Sequence, residues 1–217
     1  MKQKIGKILM VVGALLILGA LGLMAYNQWD ASRADKASQD ALDKLEETLT
    51  VTIEENNKAE SMASQQELDP EREMTETEID GWKYIGYLSI PSIGLELPVM
   101  SEWSYAGLKV APGRYSGSTY ADNMVVCAHN YAKHFSSIKW LQAGAEVHFT
   151  DMDGMRWSYE VDNVENLQPT QIEKMTTVTE DDNWDLTLFT CTTGGSARCA
   201  VRCVRTAYPT AAADLAA

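Results

Sequence analysis

Hydrophobic and polar residues are distributed differently in the first third of the chain and in the remainder. An uncharged run of nineteen residues from Ile8 to Tyr26 follows Lys2, Lys4 and Lys7, and a helix needs ~20 such residues to cross a membrane. A signal peptide usually has a shorter apolar part of ~7–15 residues and a small-residue cleavage site, and no such site closes this run. The pattern favours an uncleaved signal anchor over 8–26, with residues 1–7 in the cytoplasm and the rest outside by the positive-inside rule.

The next segment, residues 27–80, is polar and acidic. Between Asp30 and Asp80 sixteen acidic side chains outnumber five basic ones, which accounts for most of the formal net charge of −13 of the 217-residue chain. Leu42, Leu45 and Leu49 share a helical face, which would suit a short amphipathic helix or weak self-association. The composition favours instead a solvated extracellular stalk, partly helical or disordered. A chain this acidic lacks the basic footprint of nucleic-acid binding.

Short apolar runs separated by turn formers begin at Gly81 and continue to about residue 208. Many short strands with little helix predict one all-β domain over 81–208, a barrel or sandwich, followed by a flexible tail over 209–217. Asp153-Gly154 is a favourable hairpin turn, and apolar spacing predicts a short helix over His134–Leu141. The predicted strands are Gly86–Ile90, Leu95–Met100, Asn123–Ala128, Glu146–Thr150, Trp157–Glu165, Asp185–Cys191 and Arg198–Thr206.

Cys191 is the candidate nucleophile. It ends an apolar run and precedes a loop of small polar residues, so its thiol is delivered to a strand end where it stays accessible. The thiolate is the nucleophilic form, and a neighbouring cation or base supports it. Arg198 opens the next strand after a six-residue loop, so antiparallel pairing would bring it beside Cys191. Arg202 lies about 13 Å further along that strand and is the second choice.

The chain has three histidines, of which His129 is the candidate partner because it too ends an apolar, strand-like run. His134, in the loop or short helix beyond, and His148, inside a strand, favour surface or structural roles. Cys199 and Cys203 lie about 13 Å apart on one predicted strand, too far for a disulfide with each other. No CxxC or His/Cys spacing suggests zinc, and we expect no metal and no cofactor.

The sequence resembles the sortases, membrane-anchored cysteine transpeptidases of Gram-positive bacteria. Thr187–Cys191 fits the family's TLxTC signature, and His129 before it and Arg198 after it follow the family's order. Gly86–Val99 resembles the family's first strands, so that the resemblance covers about 81–208. It implies an eight-stranded sortase-type β-barrel with short helices, with these histidine, cysteine and arginine residues catalytic. The short loop before the arginine resembles members outside the housekeeping type, of class B or D.

The resemblance also implies an activity. The Cys191 thiolate would cleave a C-terminal LPxTG-like sorting motif of secreted proteins through a thioacyl-enzyme. An amine of the cell wall or of a pilin-like subunit would then accept the acyl group. His129 would be the general acid and base, Arg198 would hold the oxyanion and Thr190 would add a substrate contact. Such an enzyme, a cysteine peptidase by class, would sit at the cell membrane as a single-pass protein with an extracellular catalytic domain.

Three alternatives belong beside this interpretation. A papain-like hydrolase usually carries its cysteine before its histidine, the reverse of the order here. An L,D-transpeptidase has its histidine close before its cysteine, where this chain has Thr190. From a different class, the chain would be a catalytically silent, membrane-tethered binding module, which needs no reactive thiol at Cys191.

Overall fold

A computed structural model describes residues 2–59, 69–179 and 182–212 of the chain. Helix α1 (Lys2–Ala59) contains the whole predicted span and continues without a break through much of the acidic segment. By length and composition it could cross a membrane. The large apolar side chains between Ile8 and Trp29 are exposed, as in a helix surrounded by lipid.

Within the described residues, ten β-strands and one further α-helix follow α1. Their bounds are β1 (Thr77–Ile79), β2 (Trp82–Ile90), β3 (Leu95–Met100), β4 (Gly113–Ser116), β5 (Met124–Cys127), β6 (Glu146–Asp151), β7 (Met155–Leu167), α2 (Ile172–Thr176), β8 (Leu186–Cys191), β9 (Arg198–Arg205) and β10 (Thr210–Ala211). Short 3-10 helices lie at Pro91–Ile93, Gly107–Lys109 and Phe135–Trp140.

Eight of these strands close into a barrel. The order around it is β2-β3-β4-β5-β8-β9-β7-β6, and the pairing of β6 with β2 completes the ring. Two of the pairs, β3 with β4 and β5 with β8, are parallel. β1 and β10 extend the sheet beside β2 and β7. The predicted all-β, eight-stranded barrel is confirmed.

Glycines occupy two crowded positions of the barrel. Gly86 lies where β2 meets β6, and a Cβ atom there would lie 2.0 Å from the carbonyl oxygen of Thr150. Gly154, in the predicted β6–β7 turn, has φ +78, and a Cβ atom there would lie 2.7 Å from a side-chain carbon of Ile53. A side chain at either position would force the backbone or its neighbour to move. The barrel closure and the contact of α1 with this turn therefore depend on glycine.

Side chains of β5 and β8 alternate between two apolar clusters. Val126 and Leu188 point into the barrel interior. Cys127 and Phe189 point outward into a second cluster, which α2 and the β3–β4 loop help to cover. This alternation follows from the two-residue repeat of a strand. The same alternation determines which side chains at the ends of β5 and β8 point inward and which point outward.

The acidic segment after the span differs from the predicted solvated stalk. Leu42, Leu45 and Leu49 are almost fully buried, and the last two pack with Tyr84 of β2 and Met100 of β3. The segment is polar on average, but its few apolar residues recur every three or four positions and so form one helical face. Composition alone hides that face.

Three strands and part of the tail also differ from the predictions. β1, β4 and β10 are absent from the predicted strands, because they are too short or too evenly exposed to give an alternating hydrophobic pattern. The predicted flexible tail, 209–217, contains Thr210 and Ala211, which pair with β7 as strand β10. Residues 213–217 lie outside the described residues. The short helix predicted over His134–Leu141 forms as the 3-10 helix Phe135–Trp140.

Leu45→Ala tests the docking of α1 on the barrel. The Leu45 side chain is completely buried, so we expect the free energy of unfolding to fall by about 2–4 kcal/mol. Denaturant unfolding of the full chain in detergent micelles measures it. Glu47→Ala, at an exposed position of the same helix, should change it by less than about 0.5 kcal/mol. Equal effects of the two substitutions would mean that the helix does not dock.

Candidate active site

Two neighbouring parallel strands bring His129 and Cys191 together. β5 and β8 run in register with Cys127 opposite Phe189, and the Ala128 amide donates to the Phe189 carbonyl at 3.2 Å. His129 and Cys191 each lie two residues further along. Both therefore lie at the same end of the barrel, on chain segments about 4.8 Å apart.

Arg198 reaches the same end from the antiparallel strand β9, directly opposite Cys191. The Thr192 amide donates to the Ala197 carbonyl at 3.0 Å and closes the short loop between the two strands. The Arg198 guanidinium donates to the Gly195 and Ala197 carbonyls, each at 3.2 Å. Since a guanidinium has five N–H donors, groups are left over for a substrate.

The thiol and the guanidinium share the outer face of the sheet. Phe189 and Ala200 point outward, and Cys191 and Arg198 each lie two positions from one of them, which preserves the face. His129 follows the outward-facing Cys127 by two positions, so the same alternation puts it on the outer side. Cys191, His129 and Arg198 thus lie at the same end of three neighbouring chain segments.

Thr190 is buried, with its side chain on the inner side of the same strand end. Its hydroxyl donates to the Ala128 carbonyl at 2.8 Å. This bond ties the residue before Cys191 to the residue before His129, and it holds the two strand ends together. Thr190 also lines the pocket beside Cys191, and its contact with a substrate stays a prediction.

A pocket of about 520 Å³ opens beside Cys191. Its walls come from the β8–β9 loop, the end of β7 and the 3-10 helix Phe135–Trp140. Lys139 is the one charged residue in the lining, and hydroxyl and amide groups supply most of the rest. The pocket has room for a second polar reactant beside the thiol. Its polar lining includes Asn130, Ser136, Asn166, Thr192 and Thr193.

The environment of His129 lowers the pKa of its imidazole, chiefly through burial. The carboxylate of Asp30 opposes this effect, and the ammonium of Lys109 adds to it. The Tyr131 ring lies against the imidazole, with the ring centroids 5.0 Å apart. The Tyr131 hydroxyl in turn donates to Asp30 of α1 at 2.6 Å. Helix α1 therefore contributes to the surroundings of the candidate catalytic base.

The other two histidines have structural surroundings. His134 is completely buried, and burial lowers its pKa to about 4, so that it is neutral at physiological pH. His148 lies within β6, where its ring is 3.2 Å from the Ser158 hydroxyl and 3.5 Å from the Glu146 carboxylate. These positions agree with the roles predicted from the sequence.

All four cysteines are free, and Cys199 and Cys203 lie four residues apart on β9. Cys127, Cys199 and Cys203 are buried, whereas Cys191 is partly exposed. Burial raises the pKa of Cys127 to about 12 and also raises that of the other two buried thiols. Since the thiolate is the reactive form, Cys191 is the thiol best placed to react.

Arg202, the second-choice arginine, is buried and bound to other parts of the barrel wall. It donates to Glu165 at 2.9 Å and to the Thr187 hydroxyl at 2.8 Å, and also to the Lys174 carbonyl. Its guanidinium lies 5.0 Å from the Trp184 ring. These contacts tie α2 to the barrel, so the structure gives Arg202 a supporting role.

Asp30, Tyr131 and Lys109 lie around His129, and no pattern in the sequence marks them as functional. Asp30 is one of many acidic residues in its segment. Tyr131 stands in an irregular loop, and Lys109 ends a 3-10 helix. Only the tertiary packing of α1 and of these loops brings the three residues near the imidazole.

Comparisons with known proteins agree with this geometry. A family model described as the sortase domain matches residues 88–208, more than half of the chain. Sortase A of Bacillus anthracis is 28% identical over 201 residues, which cover 88% of this chain and 88% of that protein.

Solved structures show the same fold. Sortase C1 from Streptococcus suis is 28% identical, with a TM-score of 0.50, over 58% of this chain and 74% of that chain. The X-ray structure of Clostridium perfringens sortase C with the C-terminal cell wall sorting motif is 24% identical, with a TM-score of 0.54, over 81% of this chain and all of that chain. With the family model and the barrel in agreement, the chain belongs to the sortase family.

Proposed function

We propose that this protein is a cysteine transpeptidase that cleaves an LPxTG-like sorting motif and transfers the acyl part to an amine. The observation that best supports this proposal is the strand register. His129 and Cys191 lie at the ends of adjacent parallel strands, and Arg198 lies directly opposite Cys191. Nucleophile, proton carrier and oxyanion donor are the three groups that acyl transfer needs. Membership of the family supports the proposed substrate class.

In the first half-reaction the Cys191 thiolate attacks the scissile carbonyl carbon and forms a C–S bond. Arg198 donates hydrogen bonds to the oxyanion of the tetrahedral intermediate, since part of its guanidinium is already fixed against the β8–β9 loop. The intermediate collapses, the C–N bond breaks and His129 as imidazolium protonates the departing amine. A thioester on Cys191 and a neutral His129 result.

In the second half-reaction an acceptor amine attacks the thioester carbonyl. Neutral His129 accepts a proton from the attacking nitrogen, the C–S bond breaks and an amide forms. The thiolate and imidazolium are thereby restored. The polar pocket beside Cys191 gives the acceptor a route to the thioester from the side of the β8–β9 loop. The acceptor is an amine of the cell wall or of a pilin-like subunit.

The N-terminal helix supports a place at the membrane. Residues 8–26 form the proposed single span, with the lysines before it in the cytoplasm and the barrel outside. Secreted proteins that carry the sorting signal would then meet the enzyme at the outer surface, where tethering raises its effective concentration. The Bacillus anthracis and Clostridium perfringens relatives support the substrate class through their names, as a sortase and as a structure with a sorting motif.

The test is a transfer reaction with the full chain in detergent micelles. LPxTG-like and NPxTG-like peptides are combined with triglycine, diaminopimelate or a lysine peptide, and the products are identified by mass. We expect an amide between the peptide's N-terminal fragment and one of the amines. Binding of a peptide without cleavage, together with an unreactive Cys191 thiol, would favour the silent binding module instead.

A further inference from the structure

We propose that Asp30 is a positioning residue for His129, which it reaches through Tyr131, so that the anchor helix is part of the active site. The inference rests on the proposed function, in which His129 carries the proton. It adds to that function a residue from outside the barrel and outside the TLxTC signature.

The contact runs through three side chains. The Tyr131 hydroxyl donates to Asp30 Oδ2 at 2.6 Å, and the Tyr131 ring lies 5.0 Å from the His129 ring at an interplanar angle of 51°. Arg33, one turn further along α1, donates to the other Asp30 oxygen at 3.0 Å. Each carboxylate oxygen thus has a partner. A carboxylate held in this way fixes the tyrosine, and the tyrosine limits where the imidazole can lie.

The helix is seated closely at this point. Ala34 and Ser38, one and two turns after Asp30, are completely buried. His134, in the loop after β5, interacts with the Ala34 backbone, and the Tyr131 and His134 rings of this loop are 5.4 Å apart. Residues four apart share a helical face, so the face that carries Asp30 is the face that covers the loop. The Asp30–Tyr131 bond is therefore part of a packed interface rather than a contact between two loose surfaces.

Asp30 is the anion that favours the charged form of His129. Burial raises the pKa of Tyr131 to about 12 and lowers that of His134 to about 4, so both are neutral near pH 7. Lys109 disfavours the imidazolium, whereas Asp30 favours it. Asp30 therefore offsets part of the effect of burial. Among the described residues, Asp30 from α1 and Lys109 act on the charge of His129, and Tyr131 and His134 lie beside it. Cys191 and Arg198 lie at the neighbouring strand ends, and Arg33 is bound to Asp30.

Asp30 lies close to the end of the predicted membrane span. Asp30 follows the end of the predicted span at Tyr26 by four residues, which is about 6 Å along a helix. With the proposed span over residues 8–26, the imidazole lies next to the outer surface of the membrane. Both the sorted protein and a membrane-bound acceptor would meet the catalytic residues there. Because α1 is one continuous helix from the span to Asp30, it fixes the distance between the active site and the membrane surface.

The experiment compares Asp30→Asn with Asp40→Asn in the full chain in lipid nanodiscs. Asp40 is an exposed residue of the same helix, about 15 Å further from the membrane, and its replacement removes the same charge. The first readout is the His129 titration by NMR in a Cys191→Ala background, which does not depend on activity. With three histidines in the chain, single His→Gln variants assign the signals. The second readout is the pH profile of peptide cleavage with Cys191 present.

We expect Asp30→Asn to lower the pKa of His129 and to shift the limb of the kcat/KM profile that reports this pKa to lower pH. At pH 7 fewer molecules then carry the imidazolium, so kcat/KM falls by about three- to tenfold, while KM for the peptide stays within about twofold. Tyr131→Phe, which keeps the ring and loses the hydrogen bond, should act in the same direction with a smaller effect. Asp40→Asn should leave both readouts unchanged.

The inference would be overturned if the pKa of His129 were the same in the Asp30→Asn and Asp40→Asn variants. An equal loss of kcat at all pH values, without a shift of either limb, would also overturn it, because that result indicates only a structural role. If the wild-type chain cleaves no peptide but its His129 titration still responds to Asp30→Asn, the contact stands and the proposed function fails. The two failures are therefore distinguishable.

Discussion

Replacing Cys191 with alanine should abolish peptide cleavage and transfer while leaving the barrel folded. Without the sulfur there is no thioester, and loss of a covalent nucleophile lowers kcat by about 10⁴-fold or more. The side chain is only partly buried at a strand end, so the free energy of unfolding should change by about 1 kcal/mol or less. Steady-state cleavage of a fluorogenic sorting peptide and a denaturant unfolding curve measure the two effects.

The matched control is the Cys203→Ala variant, because the Cys203 thiol is buried in the barrel interior. This substitution should keep cleavage and lower the stability, the reverse of the pattern at Cys191. Brief treatment of the native wild-type chain with iodoacetamide should add one label, at Cys191. Cleavage by the Cys191→Ala chain, or labelling of Cys203 before Cys191, would contradict the assignment of the nucleophile.

Arg198→Ala should lower kcat by about 10²–10³-fold, as expected for removal of one oxyanion donor. It should leave the fold almost intact, because the hydrogen bonds that Arg198 makes go to carbonyls of an exposed loop. Arg202→Ala should show the opposite pattern. Its buried guanidinium joins Glu165 and Thr187 to α2, and its loss should lower the free energy of unfolding by about 2–3 kcal/mol.

The two arginines are thus separated by comparing kcat with the unfolding curve in each variant. Arg198→Lys is a useful third chain, because it keeps the charge and loses the planar fork of donors. We expect it to recover little of the activity. A larger loss of kcat in Arg202→Ala than in Arg198→Ala, at a temperature where both are folded, would show that the oxyanion donor is misassigned.

The sequence predicted the barrel well because its strands are bounded by clear turn residues. The strand Leu95–Met100 was predicted with its observed bounds, and the strand carrying Cys191 begins within one residue of its predicted start. The candidate site followed from the same signals, since a strand end places its last side chain at the barrel edge. The pairing of Cys191 with Arg198 followed from the length of a single loop.

The packing of the N-terminal helix could not be predicted in the same way. Leu45 is buried because Tyr84 and Met100 present an apolar surface on the outside of the barrel, and that surface exists only after β2 and β3 pair. Asp30 is near His129 for the same kind of reason. The sequence shows its charge, but the height of the helix on the barrel decides which of many carboxylates reaches Tyr131.

The most direct test of the central claim is the intact mass of the full chain after brief incubation with a sorting-motif peptide and no acceptor amine. We expect a mass gain equal to the N-terminal fragment of the peptide, located at Cys191 by digestion at low pH and reversed by hydroxylamine. The Cys191→Ala chain should show none. Cleavage of the peptide without any adduct at Cys191, or an adduct at another residue, would contradict the thioacyl mechanism.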